Sequence, residues 1–114
     1  MAFGELERKR IDKVVGGLCR RRTRPELAHE LRFDYLIEGH SVILFEERPD
    51  WQNPAERMRS VFAKLRLVRA GGLWTLYWQR ADLKWHAYRP VAPTPDLTAL
   101  LEVLDRDEHR AFFG

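Results

Sequence analysis

The sequence predicts an α+β fold. A single five-stranded antiparallel meander sheet carries an N-terminal and a C-terminal helix packed on one face, in the order α-β-β-β-β-β-α. Three observations lead there. Apolar residues recur at helical spacing near both ends of the chain. Between them, five runs alternate apolar and polar side chains, the period of a strand with one buried face. The breaks between paired runs are short, as at Gly39-His40, Gly71-Gly72 and Asp82-Leu83, and short links favour antiparallel neighbours.

The first helix spans residues 4–22. Leu6, Ile11, Val14, Val15 and Leu18 form its apolar stripe. Glu5 and Glu7 open it and Arg20, Arg21 and Arg22 close it, both placements that suit the helix dipole. Gly16 and Gly17 weaken its interior but permit close approach to a sheet. A short helical turn follows over 25–30.

Residues 31–48 form a hairpin about Gly39-His40. A two-residue loop pairs residue 37 with 42 and 35 with 44, so Phe33, Tyr35, Ile37, Val42 and Leu44 share the core face. Residues 49–59 read as a loop with Trp51 as a packed lid. In the second hairpin a tight Gly71-Gly72 turn pairs 67 with 76 and 65 with 78. Leu65, Leu67, Trp74, Leu76 and Trp78 then face the core, and Phe62, Lys64, Arg66, Tyr77 and Gln79 face outward. A turn at Asp82-Leu83 pairs 80 with 85, which sends Trp85 and Ala87 inward and His86 and Tyr88 outward. The last helix begins with Thr94 as N-cap and Pro95 as its first residue. Leu97, Leu100, Leu101 and Leu104 are its buried stripe. Phe112 and Phe113 tuck against the sheet.

Bulk properties narrow the function classes. The 114 residues fit a single domain, residues 1–114. A lone cysteine, Cys19, excludes an intrachain disulfide and a cysteine-based metal site. No run approaches the about 20 apolar residues of a membrane span, and none resembles a signal peptide, so no membrane partner and a cytoplasmic location are expected. The net charge of +3 conceals blocks: residues 58–90 carry seven basic and one acidic side chain, while residues 25–57 carry three and eight.

The runs Phe45-Glu46-Glu47-Arg48-Pro49, Leu76-Tyr77-Trp78-Gln79-Arg80 and Trp85-His86-Ala87-Tyr88, with the Phe-Phe-Gly end, carry a resemblance. Over nearly its whole length the chain resembles a family of small bacterial proteins of unknown function. The resemblance implies a bacterial, cytoplasmic origin and no activity, cofactor or catalytic residue.

The residues themselves point first to a non-enzymatic binding module. Lys64, Arg66, Tyr77, Gln79, His86 and Tyr88 interleave basic, aromatic and hydrogen-bonding groups on the predicted outer face. Single-stranded nucleic acid needs this mixture, because bases stack on rings while cations hold phosphates. A solvated sheet face has the same composition. Arg20, Arg21, Arg22 and Arg24 form a second basic patch that could grip phosphates, though helix-dipole compensation and contact with the acidic block 26–50 account for it better.

A different class is a small hydrolase or nuclease-like enzyme using Glu46, Glu47 and His86. A metal-dependent variant with Asp34 and Glu46 conflicts with the hairpin register, which puts these carboxylates on opposite faces. His29, His40, His86 and His109 lack zinc-ligand spacing. No phosphate-binding loop or nucleophile elbow is present, and no cofactor or metal is implied. A third class is a protein-interaction module, including a homodimer paired through an edge strand.

Overall fold

The computed structural model describes residues 3–113. The glycine of the Phe-Phe-Gly end lies outside the described residues. The elements are α1 (Glu5–Ile11), a π-helical stretch (Asp12–Gly16), α2 (Gly17–Arg22), a 3-10 turn (Pro25–Leu27), β1 (Arg32–Glu38), β2 (Ser41–Pro49), β3 (Arg57–Val68), β4 (Leu73–Gln79), β5 (Trp85–Ala87) and α3 (Leu97–Arg106). The strands make one antiparallel sheet in the order β1-β2-β3-β4-β5.

The helices cover one face. Ile11, Val15, Leu18 and Cys19 from the N-terminal helical segment meet Leu97, Leu100, Leu101 and Leu104 of α3 above Val42, Leu44, Ala63, Leu65 and Leu76. Each fully buried leucine contributes about 1.5–3 kcal/mol relative to exposure. Gly16 sits where a Cβ would lie 3.3 Å from the Tyr35 ring and 2.8 Å from Asp12 Oδ1. Its bare backbone lets Tyr35 donate its hydroxyl to Asp12 Oδ1 at 2.9 Å, which ties the π-helical stretch to β1. Burial, then that hydrogen bond, pushes the Tyr35 hydroxyl up to about 12.

Leu6 is not part of the stripe: it is 81% exposed. Phe3 fills the core below α1 instead and stacks on Trp74 at 5.7 Å. Glu7 joins the same corner through two hydrogen bonds from Arg69, at 2.7 and 2.9 Å. That guanidinium and the Gly4 N–H pull the Glu7 carboxyl down to about 2.

The first hairpin has the expected register, Ile37 opposite Val42 and Tyr35 opposite Leu44. The expected 49–59 loop is shorter, because β2 runs to Pro49 and β3 begins at Arg57. Trp51, expected as a packed lid, lies in the turn between β2 and β3 and stands 86% exposed. The second hairpin turns through four residues rather than two, with Val68 opposite Leu73 and Leu65 opposite Leu76. Gly72 supplies the positive φ there. That two-residue shift preserves both faces. At the last helix, Asp96 rather than Thr94 is the N-cap, accepting from Thr98 N at 3.0 Å. Thr94 instead forms a bridge with Trp74. Phe112 is buried and Phe113 half-buried, as expected.

Candidate functional site

The outer sheet face is built by cross-strand rows. Ile43, Lys64, Tyr77 and Ala87 lie opposite one another across four strands. Beside them, Ser41, Arg66 and Thr75 form a second row, and Gln79 lies opposite Trp85. The Lys64 ammonium is 5.5 Å from the Tyr77 ring centre and 5.9 Å from that of Trp85. Both separations are within cation–π range. Gln79 donates its side-chain amide to Leu83 O at 3.0 Å, which holds it beside the turn.

Two of the expected outer residues are on the other face. Tyr77 lies opposite Ala87 and Trp78 opposite His86, one position away from the expected register. The cause is the turn. Arg80 N bonds Lys84 O and Leu83 N bonds Arg80 O, and Leu83 takes φ 61°. A left-handed residue closing a three-residue loop is a standard hairpin solution. It removes one residue from the expected loop and reverses every side chain of β5. Tyr88 is therefore 5% exposed, packed on Phe112 with centroids 4.9 Å apart. Burial raises its hydroxyl pKa. His86 turns to Asp82, with Nε2 2.9 Å from Oδ2. Trp85, expected inside, takes their place beside Lys64. Asp82 offered a signal for this: its carboxylate caps Lys84 N at 2.9 Å, the mark of an Asx turn opening the loop.

Phe62 also leaves the outer face. The β2–β3 register shifts between Leu44 and Phe45, so Ala63 opposes Leu44 while Val61 opposes Phe45. Phe62 is the extra residue of this bulge. It turns to the helix side, 6.0 Å from Phe33 and 5.1 Å from Phe113.

The remaining cations are divided unequally. Arg20 pairs with Asp12 at 3.5 Å, Arg22 with Asp105 at 3.0 Å, Arg24 with Glu26 at 2.8 Å, and Arg21 reaches Asp105 at 4.0 Å. Each arginine of this patch has a carboxylate partner, although Arg21 and Arg22 share Asp105. Arg59, Arg32 and Arg57 surround Glu47 at 2.9, 3.1 and 4.0 Å, and Arg32 also holds Asp34 at 2.6 Å. The Arg59 hydrogen bond, then that of Arg32, hold the Glu47 carboxyl below the usual range. No carboxylate among the described residues pairs with Lys64 or Arg66.

Glu46 faces the helix side and Glu47 the outer side, while His86 is on β5. Three strand spacings separate β2 from β5, about 14 Å. These groups form no common site. Among the described residues, no group of three or more His, Cys, Asp or Glu side chains is placed to hold a metal. A cleft of about 440 Å³ touches Cys19, Arg20, Thr23, Arg32 and Asp34. Burial pushes the Cys19 thiol up to about 12, so it offers no thiolate at neutral pH. A second cleft of about 410 Å³ lies among Phe33, Phe62, Phe113, Glu46, Arg48 and Ser60.

Residues 3–114 match the family described as domain of unknown function DUF3024. The chain belongs to that family. No curated protein and no solved structure matches this DUF3024 chain. The matched span takes in every strand that builds the outer face of the DUF3024 sheet. No helix of the domain, among the described residues, is long and apolar enough to cross a membrane.

Proposed function

We propose that this domain is a non-enzymatic binding module that contacts single-stranded nucleic acid through Lys64, Arg66, Tyr77, Gln79 and Trp85. The observation that carries the reading is the pair of cations without a carboxylate partner, Lys64 and Arg66, with Lys64 held against two aromatic rings on an open sheet face. A phosphate meets no competing anion there, and each ring offers a stacking surface of about 1–3 kcal/mol per base. Phe62, His86 and Tyr88, turned to the helix side by the bulge and the three-residue turn, are left out of this reading. On this reading the domain works in the bacterial cytoplasm.

Anisotropy titration against single-stranded RNA and DNA at two salt concentrations tests it. Lys64→Ala with Arg66→Ala should lower affinity and flatten the salt dependence by about 1.4 in log–log slope, two contacts at about 0.7 each. Unchanged affinity and slope would mean that nucleic acid, if bound, sits elsewhere.

A further inference from the structure

We infer that the free edge of β3, residues 57–61, is a docking site for an extended acidic–apolar segment of a partner protein, which adds to the sheet as an antiparallel strand. β4 pairs with β3 only over residues 63–68, so the first half of β3 has β2 on one side and, among the described residues, no strand on the other. The two-residue turn makes Glu38 and Ser41 a hydrogen-bonded pair. Counting along β2 in twos, Val42, Leu44, Glu46 and Arg48 turn their main chain toward β3. Their partners Leu65, Ala63, Ser60 and Met58 turn back toward β2. The Leu67 N to His40 O bond of 2.9 Å obeys the same alternation. Arg57, Arg59 and Val61 therefore direct their main-chain groups away from the sheet. No group among the described residues meets them.

The other edges are partly covered or short: β5, the last strand of the sheet, spans only Trp85–Ala87. On β1, Phe33 N donates to Thr23 Oγ1 and Tyr35 N to Asp34 Oδ1, each at 2.9 Å. On β4, Thr94 takes Trp74 and β5 takes the rest. Covering edges in this way is how proteins avoid unwanted strand addition. The β3 edge lacks such a cover and carries exposed Met58 and Val61.

Charge selects the occupant. Arg32, Arg57 and Arg59 surround one carboxylate on the outer face, with Asp34 the second acid, so this ion-pair cluster carries one positive charge in excess, while Asp50 and Glu56 lie at the turn that precedes β3. On the helix side, Met58 and Ser60 lead into the phenylalanine-lined cleft. A strand with acidic residues on one face and apolar residues on the other complements both. A second copy of this chain fits less well. In twofold registers centred on Arg57, Met58 or Arg59, arginine opposes arginine, which is destabilising, and the register centred on Ser60 avoids this only by pairing no more than residues 59–61 of the free edge.

The test uses the full chain, isotope-labelled, with a short synthetic peptide alternating glutamate and valine, followed by amide hydrogen exchange. The peptide should slow exchange at Arg57, Arg59 and Val61 more than at Met58 and Ser60, which β2 already protects. A lysine–valine peptide should not. Val61→Pro removes one outward donor and should weaken binding at least about tenfold, while Lys64→Ala leaves it unchanged. Equal protection by both peptides, or none, overturns the proposal. So does protection of the same amides without peptide in a protein that light scattering shows to be dimeric, because the edge then belongs to a second copy.

Discussion

Arg59 on β3 donates its Nε–H to Glu47 Oε2 on β2 at 2.9 Å, and the same guanidinium lies 4.5 Å from the Phe45 ring centre. One side chain thus answers a nearly buried carboxylate and covers a buried aromatic ring on the outer face. Glu47→Gln should destabilise the fold at neutral pH by about 2 kcal/mol, because it leaves arginines gathered around a neutral group.

The pH dependence follows from the same contact. The Glu47 carboxyl lies below its ordinary value of 4.5 in the folded chain. A depressed folded pKa adds stability that is present above the unfolded value and lost as pH falls through the folded one. Denaturant midpoints measured from pH 6 to pH 2 should therefore fall less steeply for Glu47→Gln than for the native chain. Parallel curves would show that Glu47 contributes no acid limb.

Leu83 holds a left-handed backbone, φ 61°, with its side chain 75% exposed. A side chain in that region costs about 1–2 kcal/mol, and glycine gives back part of the gain through unfolded-state entropy. Leu83→Gly should stabilise by about 0.5–1 kcal/mol, a rise in Tm of roughly 2–5 °C. A Tm at or below that of the native chain would count against the three-residue turn.

Asp107 ends α3 at φ 44° and accepts from Phe112 N at 3.1 Å and Phe113 N at 2.7 Å. Its carboxylate turns the tail back onto the core. Asp107→Ala should cost about 2–3 kcal/mol, from two lost charge-assisted bonds and a strained alanine. Asp107→Asn, which tolerates the left-handed region, should cost less. Thermal melts of both variants decide it: equal losses would remove the backbone contribution.

At the outer face, Trp85→Ala should weaken single-strand binding by roughly 1–3 kcal/mol, whereas His86→Ala should not. The reverse result in anisotropy titrations would return β5 to the register expected from sequence.

Alternation and turn chemistry in the sequence were enough for the meander, the core face of the first hairpin and the Leu97, Leu100, Leu101 and Leu104 stripe. A two-residue loop admits one register, and Gly39 takes the positive φ at this turn. Two one-residue events escaped that logic. The bulge at Phe62 is invisible to alternation because an extra residue merely shifts the phase, and the next run still alternates. The Asp82-Leu83 turn has no glycine to mark its left-handed position, so alternation alone makes the loop one residue too long and inverts β5. Lys64, Arg66, Tyr77 and Gln79 were legible as outward residues because β3 beyond the bulge and β4 keep their phase. Trp85 was not, since its side depends wholly on that turn.

The Arg10 to Thr98 and Arg22 to Asp105 contacts join positions 88 and 83 residues apart. Every strand, in contrast, pairs with its neighbour in sequence. Loop-closure entropy makes the hairpins inexpensive to form and the helix-to-helix contacts slow to find. The sheet can therefore assemble before its helical cover. In that interval the apolar face of the meander is bare, and the speed with which the chain's two ends find each other sets how long it stays exposed to aggregation.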